Sequence, residues 1–135
     1  MSVIVTDNGF GTEDWVHGFV ARDDAAANGM QGIDLPSDTA PDTLASLANA
    51  PMIRIDFPSF ADGRGFTLAS ILRRAGFTGR LRARGHVIAD QYAMARRSGF
   101  DEVEIDDALA ARQPEDQWLF RADWQNHNYQ ARMRG

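Results

Sequence analysis

The clearest pattern of apolar and polar positions lies in the middle of the chain. Met52-Ile53-Arg54-Ile55-Asp56-Phe57 is a short apolar-rich run between Pro51 and Pro58, which predicts a strand. Residues 67–75 place Leu68, Ile71, Leu72 and Ala75 at i, i+3, i+4 and i+7, the spacing of one buried helical face, and Gly76 follows as a stop. Residues 80–87 predict a second strand. Residues 89–98 predict a second helix that ends on Arg96 and Arg97, whose charges suit the carbonyl end of the helix dipole, before Gly99. Residues 102–105 predict a third strand, and Asp106 or Asp107 caps a third helix that runs to Arg112, ahead of Pro114. This β-α-β-α-β-α series with short links predicts an α/β fold with a small parallel sheet of β-α repeats, either open and flavodoxin-like or part of a barrel.

The flanks are less regular. Val3-Ile4-Val5 predicts a short strand, and Asp7-Asn8-Gly9 a turn. Residues 15–20 would form the partner strand, giving an N-terminal hairpin region. Residues 29–39 read as loop, and residues 41–48 as a short helix with Pro41 in its first turn and Leu44, Leu47 and Ala48 on one face. Trp118-Leu119-Phe120 is apolar but too short to assign, and the chain from Gln125 is polar, as in an arm. The expected organisation is one domain over residues 1–135: an irregular region 1–50, a core 51–112 and an aromatic arm 113–135.

Composition narrows the chemistry. The chain has 135 residues, 44% of them hydrophobic, enough for a core without disulfides. It has no cysteine, so it supplies no thiolate for catalysis, for an iron–sulfur cluster or for zinc. The net charge is −5, which disfavours nucleic acid as a partner. All fourteen basic residues are arginine, so there is no lysine for a Schiff base or a Walker-type phosphate loop. The opening MSVIVTDNGFGTED turns polar too early for a leader, and no apolar run matches a bilayer, so a cytoplasmic protein without a membrane partner is expected.

The stretch IDFPSFADGRGFTLASILRRAGFTGRLRARGHVIADQYAMARRSGFDEVEI carries a family resemblance. Asp56-Phe57-Pro58, Asp62-Gly63-Arg64-Gly65-Phe66, Leu81-Arg82-Ala83 with Gly85, Asp90-Gln91, and Arg97 with Gly99-Phe100-Asp101 are its strongest pieces, and Tyr129-Gln130 is similar to the closing dipeptide. Together they resemble DUF934, a family of uncharacterised bacterial proteins, over about residues 50–106. His86 and Ser98 depart from the pattern, standing where acidic and cysteine residues are expected. The resemblance implies an oxidoreductase or accessory role in sulfite reduction and sulfur assimilation, with sulfite reductase or a related enzyme as partner.

Ligands of parallel sheets bind beyond the carboxyl ends of the strands. The residues expected on that rim are Asp56, the loop 58–65, Arg84, Gly85, His86, Asp90 and Gln91. In Asp62-Gly63-Arg64-Gly65 the glycines would let backbone approach an anion at a helix start, and Arg64 would add a guanidinium fork. The alternative is a plain turn in which Asp62 caps the helix and Arg64 pairs with Asp56 or Asp62. Asp56 is a candidate base and His86 a candidate proton-transfer residue. Asp90 and Gln91 either start a helix or hydrogen-bond a ligand, and a metal site would need Asp56, Asp62 and Asp90 to converge. Arg80, Arg82 and Arg84 share one face of their strand, which predicts an edge strand, an Arg84 turned into the site, a partner surface or ion pairing with the acids.

Trp118, Phe120, Trp124 and Tyr129 are either core or a contact patch for a partner or a second copy. The loop 58–65 is not GxGxxG, so no cofactor is specified. Three functions stay open: an accessory protein that binds an oxyanion or a partner enzyme, a small acid–base enzyme acting on an anionic substrate, and a purely structural interaction protein.

Overall fold

A computed structural model describes residues 2–22, 30–122 and 124. The three central repeats form as the periodicity predicts. Met52–Phe57 (β5) leads into helix Arg64–Arg74 (α1); Arg80–Gly85 (β6) leads through a 3-10 turn, Ala89–Gln91, into Tyr92–Ser98 (α2); Glu102–Asp106 (β7) leads into Asp107–Arg112 (α3). Of the two candidate caps of α3 it is Asp106 that accepts the Leu109 N–H, at 2.7 Å.

The sheet is larger than expected, and mixed. Ser2–Thr6 (β1), Gly9–Gly11 (β2), Phe19–Ala21 (β3) and Gly32–Leu35 (β4) join it, in the order β2-β1-β7-β6-β5-β4-β3. Strands β3 to β7 are parallel, whereas β1 pairs antiparallel with β7 and with β2. The expected all-parallel sheet is therefore corrected at one edge, and the barrel alternative is excluded because the sheet is open. Two further expectations change. The partner of β1 across the Asp7-Asn8 turn is β2, not residues 15–20. A strand, β4, also lies within what reads as loop 29–39; Gly32 hides it from the pattern because its missing side chain leaves room for Phe19 and Met52. Residues 41–48 do turn, as the 3-10 helix Pro41–Leu47 that buries Leu44 and Leu47.

The two faces of the sheet differ in kind. On one, Ile53, Ile55, Phe57, Leu81, Ala83, Val103 and Ile105 pack with Leu68, Leu72, Tyr92 and Ala95 of the helices. Trp118, on helix Glu115–Arg121 (α4), joins this core edge-on to Tyr92, and its Nε1–H donates to the Gln113 carbonyl at 2.9 Å. Phe120 of the same helix stays 72% exposed, so the aromatic segment divides between core and surface. Tyr129-Gln130 and the arm from Gln125 lie outside the described residues.

The opposite face carries Arg54, Arg80, Arg82, Arg84, Glu102 and Glu104 on adjacent strands. Strand β6 is central, which excludes the edge-strand account of its arginines. They are paired instead. Arg82 is fully buried; its Nε lies 2.6 Å from Glu102, and its Nη1 lies 2.8 Å from Glu104 and 2.5 Å from Glu13. Arg54 joins Asp34 and Glu104 and sits 3.7 Å over the Phe19 ring.

Topology explains how Glu13 arrives there. β2 and β3 lie at opposite edges, about 29 Å apart at ~4.8 Å per strand. The eight Cα steps from Gly11 to Phe19 reach at most about 29 Å. The linker must therefore run nearly straight across one face, and Glu13 and Asp14 within it pair with Arg82 and Arg80. It is a strap over the charged face.

Two measurements test this arrangement. Arg82→Met takes from the buried Glu102 and Glu104 carboxylates a cation they share and lowers unfolding free energy in urea by about 3 kcal/mol, whereas the half-exposed Arg84→Met changes it by under ~1 kcal/mol. The hydrogen bond from Arg82 lowers the Glu13 pKa to about 2, and Arg54 and Arg82 hold Glu104 low although burial alone would raise it. A depressed folded-state pKa gives stability above the unfolded carboxylate pKa of about 4.3 that is lost as pH falls through the folded value. Urea midpoints should thus fall between about pH 4.5 and 2, and Glu13→Gln should remove part of that slope.

Candidate functional site

The carboxyl ends of β5, β6 and β7 meet the start of β1 around a hollow of about 350 Å³. Asp56, Arg84, Glu104 and Ser2 approach it from the charged face; Phe57, Ile105 and Leu109 approach from the apolar face; His86 and Arg112 stand on the rim between them. An adjoining hollow of about 540 Å³ shares His86, Leu109 and Arg112 and adds Phe60, Ile88 and Gln113.

Backbone geometry fixes the rim. Gly85 ends β6 at φ 116°, and a Cβ there would stand 2.6 Å from the Phe57 carbonyl oxygen. That crowding lets the His86 N–H donate to the same oxygen at 2.9 Å, with Nδ1 of the ring 3.3 Å from it. A carbonyl only accepts, so this contact is a hydrogen bond in the form of the ring that carries a proton on Nδ1. Gly65 performs a related task, since a Cβ on it would come within 2.4 Å of the Phe57 ring. It seats the start of α1 on β5 and so sets where the loop 58–63 lies.

The charges around the first hollow are unequally committed. One Glu104 oxygen accepts from Arg54 and Arg82, and the other from Ser2 and Arg84. Asp106 is occupied by its cap. Arg84 remains half-exposed, held only by a 3.3 Å contact from Nε to Glu104, so its terminal nitrogens are available. Arg112 and Asp56 form no ion pair among the described residues. The uncommitted groups are thus two guanidinium tips, one carboxylate and an imidazole.

Of the residues expected on the rim, Asp56, Arg84, Gly85 and His86 come together. The Asp62-Gly63-Arg64-Gly65 loop does not join them. The Arg64 guanidinium lies on Asp62, at 2.8 and 3.0 Å, and within 3.2 Å of the Ser37 hydroxyl, and the Arg64 N–H donates to Asp62 as well. Arg64 holds Asp62 well below the usual carboxylate range, with Ser37 assisting. The Arg64 guanidinium pairs within its own loop through Nε and one terminal nitrogen while its side chain stays 61% exposed, and it lines neither rim hollow. Asp90 pairs with Arg121 at 2.8 Å. Gln91 accepts from the Ile88 N–H and donates to the Phe60 carbonyl, which makes it a brace beneath the hollow rather than part of its wall. Asp56, Asp62 and Asp90 therefore do not converge, and no group of three metal-ligating side chains occurs among the described residues.

Pro58 and Phe60, within the expected loop 58–65, do line the hollows, whereas Arg112, Ile88 and Leu109 escape the sequence reading. The available signal was the exit of the third strand, which reaches the same rim as the first two. A helix of only six residues then returns Arg112 to it. A third hollow, of about 540 Å³, holds Arg73, Arg74 and Arg97 near the carboxyl ends of α1 and α2. Helix carbonyl ends favour cations and disfavour anions, which leaves the strand-end rim as the better site for an acid.

The model of the family described as bacterial protein of unknown function, DUF934, matches residues 32–135. No curated protein and no solved structure matches the chain. No helix among the described residues is long and apolar enough to cross a membrane.

Gly85→Ala forces a side chain into a left-handed conformation against the Phe57 carbonyl, so it should cost about 2 kcal/mol or more in urea unfolding. It should also shift the His86 imidazole resonances.

Proposed function

The chain belongs to the DUF934 family, and on that premise we propose that it is an accessory protein of sulfite reduction that binds a small oxyanion or acid at the strand-end rim. The observation that carries the binding half is the pair of uncommitted guanidinium groups, Arg84 and Arg112, on one hollow where Asp56 is the one unpaired carboxylate among the described residues. Arginine presents a planar fork suited to sulfite, sulfate, phosphate or carboxylate. The sulfur half rests on the role implied by the family resemblance. Cysteine is absent, so the electrons for sulfite reduction would come from a partner enzyme and not from a thiolate-held cluster in this chain.

A second reading is favoured by one observation: Asp56 and His86 border the same hollow as the two arginines. In an acid–base enzyme Asp56 or His86 would move a proton on an anion held by Arg84 and Arg112.

The test is thermal unfolding with sulfite, sulfate and phosphate at matched ionic strength. An anion at ten times its Kd stabilises by about 1.4 kcal/mol, which raises Tm by about 5 °C for a chain of 135 residues. Arg84→Gln and Arg112→Gln should each remove most of that shift, and Arg64→Gln should leave it. An Arg64-dependent shift would move the site to the Asp62 loop. Consumption of the bound anion, lost in Asp56→Asn while binding persists, would establish the enzyme reading.

A further inference from the structure

The rim hollow is polar on one side and apolar on the other, and this asymmetry specifies more than an anion. We infer that its ligand is a small amphiphilic acid: an anionic group carried on an apolar body about the size of an aromatic ring. The inference rests on the anion-binding reading above and narrows its ligand.

The geometry follows from the sheet. Asp56, Arg84 and Glu104 emerge at the strand ends from the charged face, while Leu109, Ile88 and Phe60 belong to the helix-covered side. His86, Leu109 and Arg112 line both hollows and so join them into one trough across the sheet end. A free inorganic oxyanion at Arg84 and Arg112 would leave Phe60, and the partly exposed Ile88 beside it, facing water. Phe60 is 59% exposed, and its backbone is anchored because its carbonyl accepts from Gln91 at 2.8 Å. Gln113 closes the end of the trough, its Oε1 held by the Ala89 N–H at 2.6 Å. An apolar body there would cover Phe60 and leave that bond in place.

A small molecule is the fitting occupant rather than an added peptide strand. Each of β5, β6 and β7 is paired on both sides, so no free strand edge borders the trough. Asp56, at the opposite end from Phe60, would accept from an N–H or O–H donor on the ligand.

The probes are sulfate and naphthalenesulfonate, titrated into the full chain at equal ionic strength. Naphthalenesulfonate should bind about tenfold or more tightly than sulfate, the gain expected from covering part of a ring. Phe60→Ser should remove that advantage and leave sulfate affinity unchanged, Phe60→Leu should keep part of it, and Arg112→Gln should weaken both probes. Phe120→Ser, which alters a more exposed phenylalanine that does not line the trough, should change nothing. Equal affinity for the two probes, or tight naphthalenesulfonate binding indifferent to Phe60, would overturn the inference and leave the anion site standing. Binding of neither probe, or binding indifferent to Arg112, would remove the anion site itself.

Discussion

The fold turns on one buried cation. Arg82 occupies the middle of a seven-stranded sheet with no solvent exposure, and its guanidinium is met by Glu102, Glu104 and Glu13. A charge taken out of water at that depth is tolerable only when its donors are matched, and here they are. Two of the acids come from the adjacent strand and one from a segment that crosses the whole sheet. The connection from the β2 edge to the β3 edge has little slack, so its path and the pairing of Arg82 impose each other. Without the strap the arginine would face water on one side; without the arginine the strap would lose its central anchor.

That arrangement divides the molecule. Helices cover one face with aliphatic and aromatic contacts, while the other is a lattice of arginines and carboxylates closed by the strap and by Phe19 against Arg54. A sheet surface normally shows this contrast as core against solvent. Here the charged face is itself partly buried, and the two environments meet only where the strands end. The strand-end trough inherits both: guanidinium and carboxylate groups from one side, Phe60, Ile88 and Leu109 from the other.

How much of this was legible in the sequence depended on the range of the interactions. The central β-α repeats were, because Leu68, Ile71 and Leu72 repeat at helical spacing and Met52–Phe57 lies between prolines. The strand β4 was not, because Gly-Ile-Asp-Leu is too short and mixed to stand out until parallel pairing with β3 and β5 defines it. The antiparallel edge was hidden for a similar reason: Val3 and Val5 show a strand but not its neighbour, which is β7, roughly a hundred residues away. Arg80, Arg82 and Arg84 were visible as a stripe, yet their meaning required Glu13, Glu102 and Glu104, whose convergence no local spacing encodes. Within the site, Asp56, Arg84 and His86 were reachable from the rule that ligands lie beyond strand ends. Arg64 attracted the same expectation through its glycines, but it turns to Asp62 and to Ser37, which comes from a segment read as loop, and lies away from the rim hollows.

The placement of the site follows from where charge pairing runs out. Along β5, β6 and β7 each inward arginine finds an acid on the next strand or on the strap, and such matched groups have no hydrogen-bonding capacity left for a ligand. At the last register step, Asp56 lies opposite Arg84 and Arg84 opposite Glu104, but Glu104 is already divided among Arg54, Arg82 and Ser2. Its remaining hold on Arg84 is a single 3.3 Å contact. Arg112 arrives from a separate helix, with no acid opposite it among the described residues. The lattice that neutralises the sheet interior therefore leaves its surplus at the strand ends, and that surplus lies next to the exposed ring of Phe60.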